Sequence, residues 1–312
     1  MNRPLIFLGT TNLDIVFYSH SLPTVGQSLM GTIEEFGGGK GANQAVAAAR
    51  LGAAPYFATL LGEDDAAETL IKFMASSGVR TGKFGRKPGV ASGRSIIFVS
   101  AAGSNMIGID AGANECFGPG EVERALDGVP QAAVMVVEMG LPVAACRAAF
   151  EMKGDRFLIF NPAPVRAQLT NADCKAIDIL TPNETEAEEL TGIHIDSPTK
   201  ALEAAKLLHD RGIKAVAITL GGEGVVYLDA EKCIHQSAYR VEVVDTTAAG
   251  DAFNSGLAVS IARNMPIEDA LSFAVATASI SVTRKGAQQS MPTEKEVRAF
   301  LTKEGATFSE YL

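Results

Sequence analysis

The chain predicts an α/β fold: a central, mostly parallel sheet flanked by helices in three layers, with a second small β-sheet. Three observations carry this. Strand-length apolar runs alternate with helical patterns for most of the 312 residues. The runs at 5–9 and 132–138 are apolar, the second up to its final Glu138, as strands buried on both faces are. Two stretches, about 12–36 and 91–110, break the alternation with paired alternating segments, which predicts a sheet projecting from the main body as a lid.

The elements follow in order. Residues 5–9 read as a buried strand. Residues 40–51 read as a helix stopped by Gly52. Residues 55–61 are the next strand, and Asp64 caps a helix reaching about 77, with Gly78 behind it. The strand 132–138 leads to a helix opened by Pro142. Further strands are expected at 156–160, 176–181 and 214–219, with helices at 184–191 and 199–211. Two Ala-rich helices, about 251–263 and 267–283, come last. With no repeat and no linker, 1–312 is expected to be one domain carrying the lid.

Composition narrows the function. Hydrophobic residues make up 47% and Gly numbers 31, enough for a large core with tight turns. The net charge of −9 and the absence of basic runs argue against nucleic acid or an anionic membrane as partner. Cys116, Cys146, Cys174 and Cys233 form no ligand-spaced pair, and no zinc site is expected. The run at 5–9 is too short for a secretory leader and no stretch is long enough to cross a bilayer, so the cytoplasm is the expected location.

Val244-Asp245-Thr246-Thr247-Ala248-Ala249-Gly250-Asp251-Ala252-Phe253 is the most informative run. Small residues at a helix start let backbone N–H groups approach an anion, and the helix dipole adds positive character. A carboxylate beside such a cradle suits phosphoryl transfer to a hydroxyl: Ala248, Ala249 and Gly250 hold charge while Asp251 takes the proton. Taken alone, the run could be only a capped strand-to-helix turn.

Other constellations point to a polyhydroxylated ligand and a nucleotide. Gly37-Gly38-Gly39-Lys40-Gly41-Ala42-Asn43-Gln44 is neither a P-loop nor a dinucleotide fingerprint. Its glycines permit close approach, and Lys40 and Asn43 offer donors one helical turn apart. Asn12 and Asp14 point the same way from an extended backbone and could hold adjacent hydroxyls, or form an Asx turn. Glu138 ends an apolar strand and is either a site residue or a strand terminus. Asn183 and Glu186 share a helix face and could support phosphate and hydrated Mg²⁺, or form a capping box. Thr219-Leu220-Gly221-Gly222-Glu223-Gly224 fits either a nucleotide loop or a hairpin turn.

These motifs, in this order, resemble the ribokinase family of carbohydrate kinases, also called the PfkB family. The resemblance spans residues 5 to about 292, with signatures at 37–44 and 245–253 and an Asn-x-x-Glu motif at 183–186. Family members more often have Gly where Ala248 stands. The resemblance implies Asp251 as base and Ala248, Ala249 and Gly250 as anion hole. It implies sugar contacts from Asn12, Asp14, Gly38, Gly39, Lys40, Asn43, Glu138 and Asp251. ATP would meet Asn183, Thr219, Gly221, Gly222, Gly224 and Gly250, with Glu186 supporting Mg²⁺. A monovalent cation, K⁺, would sit by Asp245, Thr247, Ser281, Arg284, Gly286 and Ser290, mostly on backbone oxygens. The implied reaction is ATP-dependent phosphorylation of a small sugar, D-ribose foremost at its 5-hydroxyl. Deoxyribose, another small sugar or a nucleoside are alternatives, and a non-catalytic sugar-binding regulator is a further one. A homodimer through the β lid is implied as well.

Overall fold

The computed structural model describes residues 2–305, so Met1 and 306–312 of the expected span lie outside the described residues. The chain starts with Leu5–Leu8 (β1) and passes to Asn12–Ser19 (β2) and Thr32–Gly38 (β3). Lys40–Arg50 (α1) and Tyr56–Gly62 (β4) follow. Asp65–Ser76 (α2) starts where the side chain of Asp64 accepts the Ala67 N–H. Arg80–Lys87 (β5), Arg94–Ser100 (β6) and Asn105–Asp110 (β7) precede Pro119–Leu126 (α3). Val134–Glu138 (β8), Val143–Met152 (α4) and Phe157–Asn161 (β9) restore the alternation.

Thr170 caps a short helix, Asn171–Ala176 (α5), so the strand expected over 176–181 shrinks to Ile179–Leu180 (β10). Glu184–Thr191 (α6), Pro198–Asp210 (α7) and Ala215–Thr219 (β11) lead to a hairpin of Val225–Asp229 (β12) and Cys233–Gln236 (β13). The chain ends in Ala249–Ala262 (α8), Ile267–Ser281 (α9) and Glu294–Lys303 (α10).

Among the described residues, nine strands form one sheet in the order β13-β12-β11-β10-β9-β8-β1-β4-β5. It is parallel from β11 to β5, and β12 and β13 add antiparallel pairs at one edge. The run Leu5-Ile6-Phe7-Leu8 explains the layering. Ile6 and Leu8 enter one core with side chains of α3, α4, α6 and α7. Leu5 and Phe7 enter the other with α1, α8, α9 and α10. A strand apolar at every position must be covered on both faces, which gives three layers.

The second sheet has the order β3-β2-β6-β7, built from the two stretches that broke the alternation. Register separates its faces. Asp14 lies opposite Ser95, and Ser95 opposite Ile109, on one face. Phe17, Ile33, Phe98 and Met106 pair along the other.

Candidate active site

The carboxyl ends of the parallel strands, where open α/β sheets bind ligands, surround a cavity of 560 Å³. Strand order sets out its wall. Asn12 and Asp14 come from the chain just after β1. Asn161 ends β9, Thr181 and Asn183 follow β10, and Thr219 ends β11. The cavity is lined from Asn12, Asp14, Gly39, Lys40 and Asn43 at one end to Asn183, Glu186 and Thr219 at the other, with Thr246 to Asp251 also on its wall.

Asp251 lies in the first turn of α8 and is buried. Asn43 Nδ2 donates to its Oδ2 at 3.0 Å, and Gln44 Nε2 donates to its Oδ1 at 3.0 Å. Burial pushes its carboxyl above the usual range, opposed by the Lys40 ammonium and these two amides. Lys40 is held in its charged form chiefly by Asp251, then by Glu138 and Glu186, against the effect of burial. A carboxyl lifted by burial beside a fixed cation suits a general base.

Ala248 precedes α8 with φ 60 and ψ 18. That left-handed backbone costs an L-residue roughly 1–2 kcal/mol, a local strain of the kind found at functional sites. It turns the chain so that Ala248, Ala249 and Gly250 all face the cavity. First-turn amides have no intrahelical acceptor, so this end of α8 offers donors and positive character to an anion.

Asp14 faces the same cavity, and burial raises its pKa to about 6, opposed by its hydrogen bond with Ser95. Asn12 Oδ1 accepts from Asn114 Nδ2 at 2.9 Å, which fixes its amide. Gly39 has φ 89, and a Cβ there would fall 2.6 Å from Thr11 Cα. Gly38 stands behind the cavity wall, where a Cβ would fall 2.0 Å from Asp14 Oδ2.

Glu138 is fully buried and does not line the cavity. Its Oε1 accepts the Thr10 N–H and its Oε2 the Gly140 N–H, each at 2.5 Å. It therefore anchors two loops that do line the cavity. Asn183 and Glu186 form a reciprocal capping box at 2.8 and 2.9 Å while both remain on the cavity wall, so the two readings of this motif coexist. Burial raises Glu186. Gly221, Gly222 and Gly224 are not on the wall. They form the β11–β12 turn, closed by Leu220 N–H to Gly224 O at 2.8 Å.

Asp245 ties two loops together. Its Oδ1 accepts from Thr247 N and Oγ1, and its Oδ2 accepts from Gly286 N at 2.9 Å. The side chains of Ser281 and Ser290 donate to nearby carbonyls, and Arg284 pairs with Glu296. Arg284 is thus left with its backbone oxygen to offer an ion, while the two serine hydroxyl oxygens keep lone pairs beside their carbonyls. Thr247 alone of the six expected cation residues lines the cavity.

Several residues at the site escaped the sequence reading. Gln44 holds Asp251. Thr10, Asn114, Asn161, Arg166, Thr181 and Asn254 line the cavity. A polar residue ending an apolar strand was the available signal for Asn161, as it was for Glu138. Gln44 closes the 37–44 signature, but nothing in that run points to Asp251, its partner 207 positions away.

Comparison with known proteins agrees with this geometry. The model of the pfkB family of carbohydrate kinases matches residues 3–294. Ribokinase of Haemophilus influenzae is 36% identical over 304 residues, covering 96% of this chain and 99% of that protein. Deoxyribokinase of Salmonella typhimurium is 34% identical over 298 residues, covering 95% of this chain and 97% of that one. Among solved structures, Arabidopsis thaliana ribokinase complexed with ribose and ATP superposes with a TM-score of 0.86 at 31% identity, covering 96% and 99% of the two chains. A buried carboxylate at a helix start, a cavity wall of polar side chains and this degree of likeness converge: the chain belongs to the pfkB family of carbohydrate kinases, with a ribokinase-like fold, and is a sugar kinase.

Proposed function

We propose that this protein transfers the γ-phosphoryl group of ATP to the 5-hydroxyl of D-ribose, giving ribose 5-phosphate and ADP. The observation that carries it is Asp251, buried in the first turn of α8 on the wall shared by Asn12, Asp14 and Asn43. Asp251 takes the hydroxyl proton as the sugar oxygen bonds to the γ-phosphorus and the bond to the β-phosphate oxygen breaks. Gly250 and its neighbours meet the charge that spreads over the transferring group. Asn183 and Thr219 hold the nucleotide end.

Mg²⁺ bound with the phosphates would neutralise their charge, and Glu186 on the cavity wall fits a water-mediated role toward it. K⁺ fits the junction that Asp245 makes between the 245–247 and 286 segments. There it would stiffen the anion-binding loop. Two copies would associate through the small sheet, whose Ile33, Ile96 and Met106 are exposed on the face turned from the cavity. The cytoplasm supplies ATP, and the four cysteines are free thiols, in keeping with a reducing compartment.

A second reading, 2-deoxyribose as acceptor, is favoured by the deoxyribokinase relative. Coupled ADP release with ATP–Mg²⁺ over pentoses, deoxypentoses, hexoses and nucleosides decides between them. The expected result is the highest kcat/KM with D-ribose and faster turnover with K⁺ than without. A higher kcat/KM with 2-deoxyribose would reverse the assignment, and turnover with none of these sugars would remove it.

A further inference from the structure

The two oxygens of Asp251 are held differently. Gln44 Nε2 lies 3.0 Å from Oδ1 and also 3.2 Å from Asn161 Oδ1. Asn161 Nδ2 lies 3.0 Å from the carbonyl of Thr181. A carbonyl only accepts, so Asn161 must present its NH₂ to Thr181 and its oxygen to Gln44. Gln44 must then present its NH₂ to Asn161, and the other hydrogen of that group goes to Asp251 Oδ1. The orientation of each amide follows from the one before it, starting at a fixed backbone group. A proton on Oδ1 would face a donor.

Oδ2 has no such constraint. Its partner is Asn43 Nδ2, while Asn43 Oδ1 is buried without a hydrogen-bond partner. Nothing fixes the Asn43 amide, so it can turn over and accept from a protonated Oδ2. Asn43 lines the cavity and Gln44 does not. The oxygen that is free to take a proton is therefore the one held from the cavity side.

We propose that Asp251 accepts the sugar proton on Oδ2, and that Gln44, locked by Asn161, is a positioning residue that keeps Oδ1 an acceptor throughout the reaction. This rests on the sugar-kinase assignment of Asp251. In the step, the hydroxyl O–H bond breaks toward Oδ2, the sugar O–P bond forms, and the electrons of the broken phosphoanhydride bond leave with ADP. Lys40 and Glu186 are the charged groups that also act on Asp251, and both stay in place when Gln44 is changed.

The test uses Gln44→Met, which keeps the volume and removes the donor, and the isosteric Gln44→Glu, with initial rates across pH at varied ribose and ATP–Mg²⁺. For Gln44→Met, kcat should fall about 10–100-fold with both KM values within about threefold, because only the alignment of the base is lost. The acid limb of kcat, which protonation of Asp14 leaves little changed, should move up by about one pH unit, since a hydrogen bond to the carboxylate is gone. Gln44→Glu should move that limb further, through a like charge beside Asp251. It also carries the test if the Met variant does not fold. An acid limb at its wild-type position in both variants overturns the proposal, whatever their Tm. Asp251→Asn, run alongside, separates the two levels. Near-normal kcat in that variant overturns the kinase assignment of Asp251, whereas its loss beside wild-type Gln44 variants overturns the Gln44 role only.

Discussion

The two sheets of this protein divide the work. The inner strands of the nine-stranded sheet are buried on both faces, and their ends set Asn161, Thr181 and Thr219 on the cavity wall. The four-stranded sheet brings Asp14 and Ser95 to the same cavity but leaves Ile33 64% and Ile96 52% exposed on its other face. A covered sheet can hold catalytic groups to a fixed geometry, because close-packed interiors resist displacement. A sheet with bare apolar side chains is suited to closing over a ligand or meeting another copy. The comparison teaches where each kind of effect should appear: chemistry on the large sheet, substrate capture and association on the small one.

Asp251→Asn breaks the large-sheet half and carries the largest effect. Loss of the general base should lower kcat by about 10²–10⁴-fold. Calorimetric affinities for ribose and ATP should stay within about threefold of wild type, since the variant keeps the shape of the wall.

Asp14→Asn tests the small sheet as a capture element. Losing a charged hydrogen-bond partner for a sugar hydroxyl should raise the ribose KM by about 10–100-fold with kcat little changed. The wild-type protein should show the same loss through pH. Burial raises Asp14 to about 6, so the carboxylate is present above that pH and is protonated as pH falls through it. The ribose KM should therefore rise below about pH 6 and the rise should vanish in Asp14→Asn. A kcat defect with unchanged KM would put Asp14 with the chemistry and blur the division.

The smallest energetic effect is expected from charging the face of the small sheet turned from the cavity, Ile96→Lys with Met106→Lys. Each side chain is about half exposed, so stability should change by no more than about 0.5 kcal/mol per site. Sedimentation should nonetheless shift from the proposed dimer to monomer. A dimer that survives both lysines would place association elsewhere.

How far the sequence reaches can be judged element by element. β1 and β8 were legible because uninterrupted apolar runs demand burial on both faces. α2 and α6 were legible because Asp64 and Asn183 are capping residues at the right spacing. β5 was not. Arg80–Lys87 is a polar edge strand that exists because β4 offers it a ladder, and its charges suit an edge. The helices α3 and α10 were passed over although start signals were present, Pro119 opening one and Thr293 with Glu296 capping the other, and α5 spans only six residues.

The sequence by itself determined the layered α/β architecture and singled out the 244–253 loop and the residues grouped by their motifs. It could do so because burial patterns, caps and glycine-rich turns are local properties of the chain. Only the tertiary structure decided that Glu138 anchors loops rather than facing the cavity, that Gly221 to Gly224 form a turn, and that Gln44 holds Asp251. Those facts depend on which strand ends become neighbours and which amide finds which carboxylate oxygen, and such pairings arise only when distant segments pack.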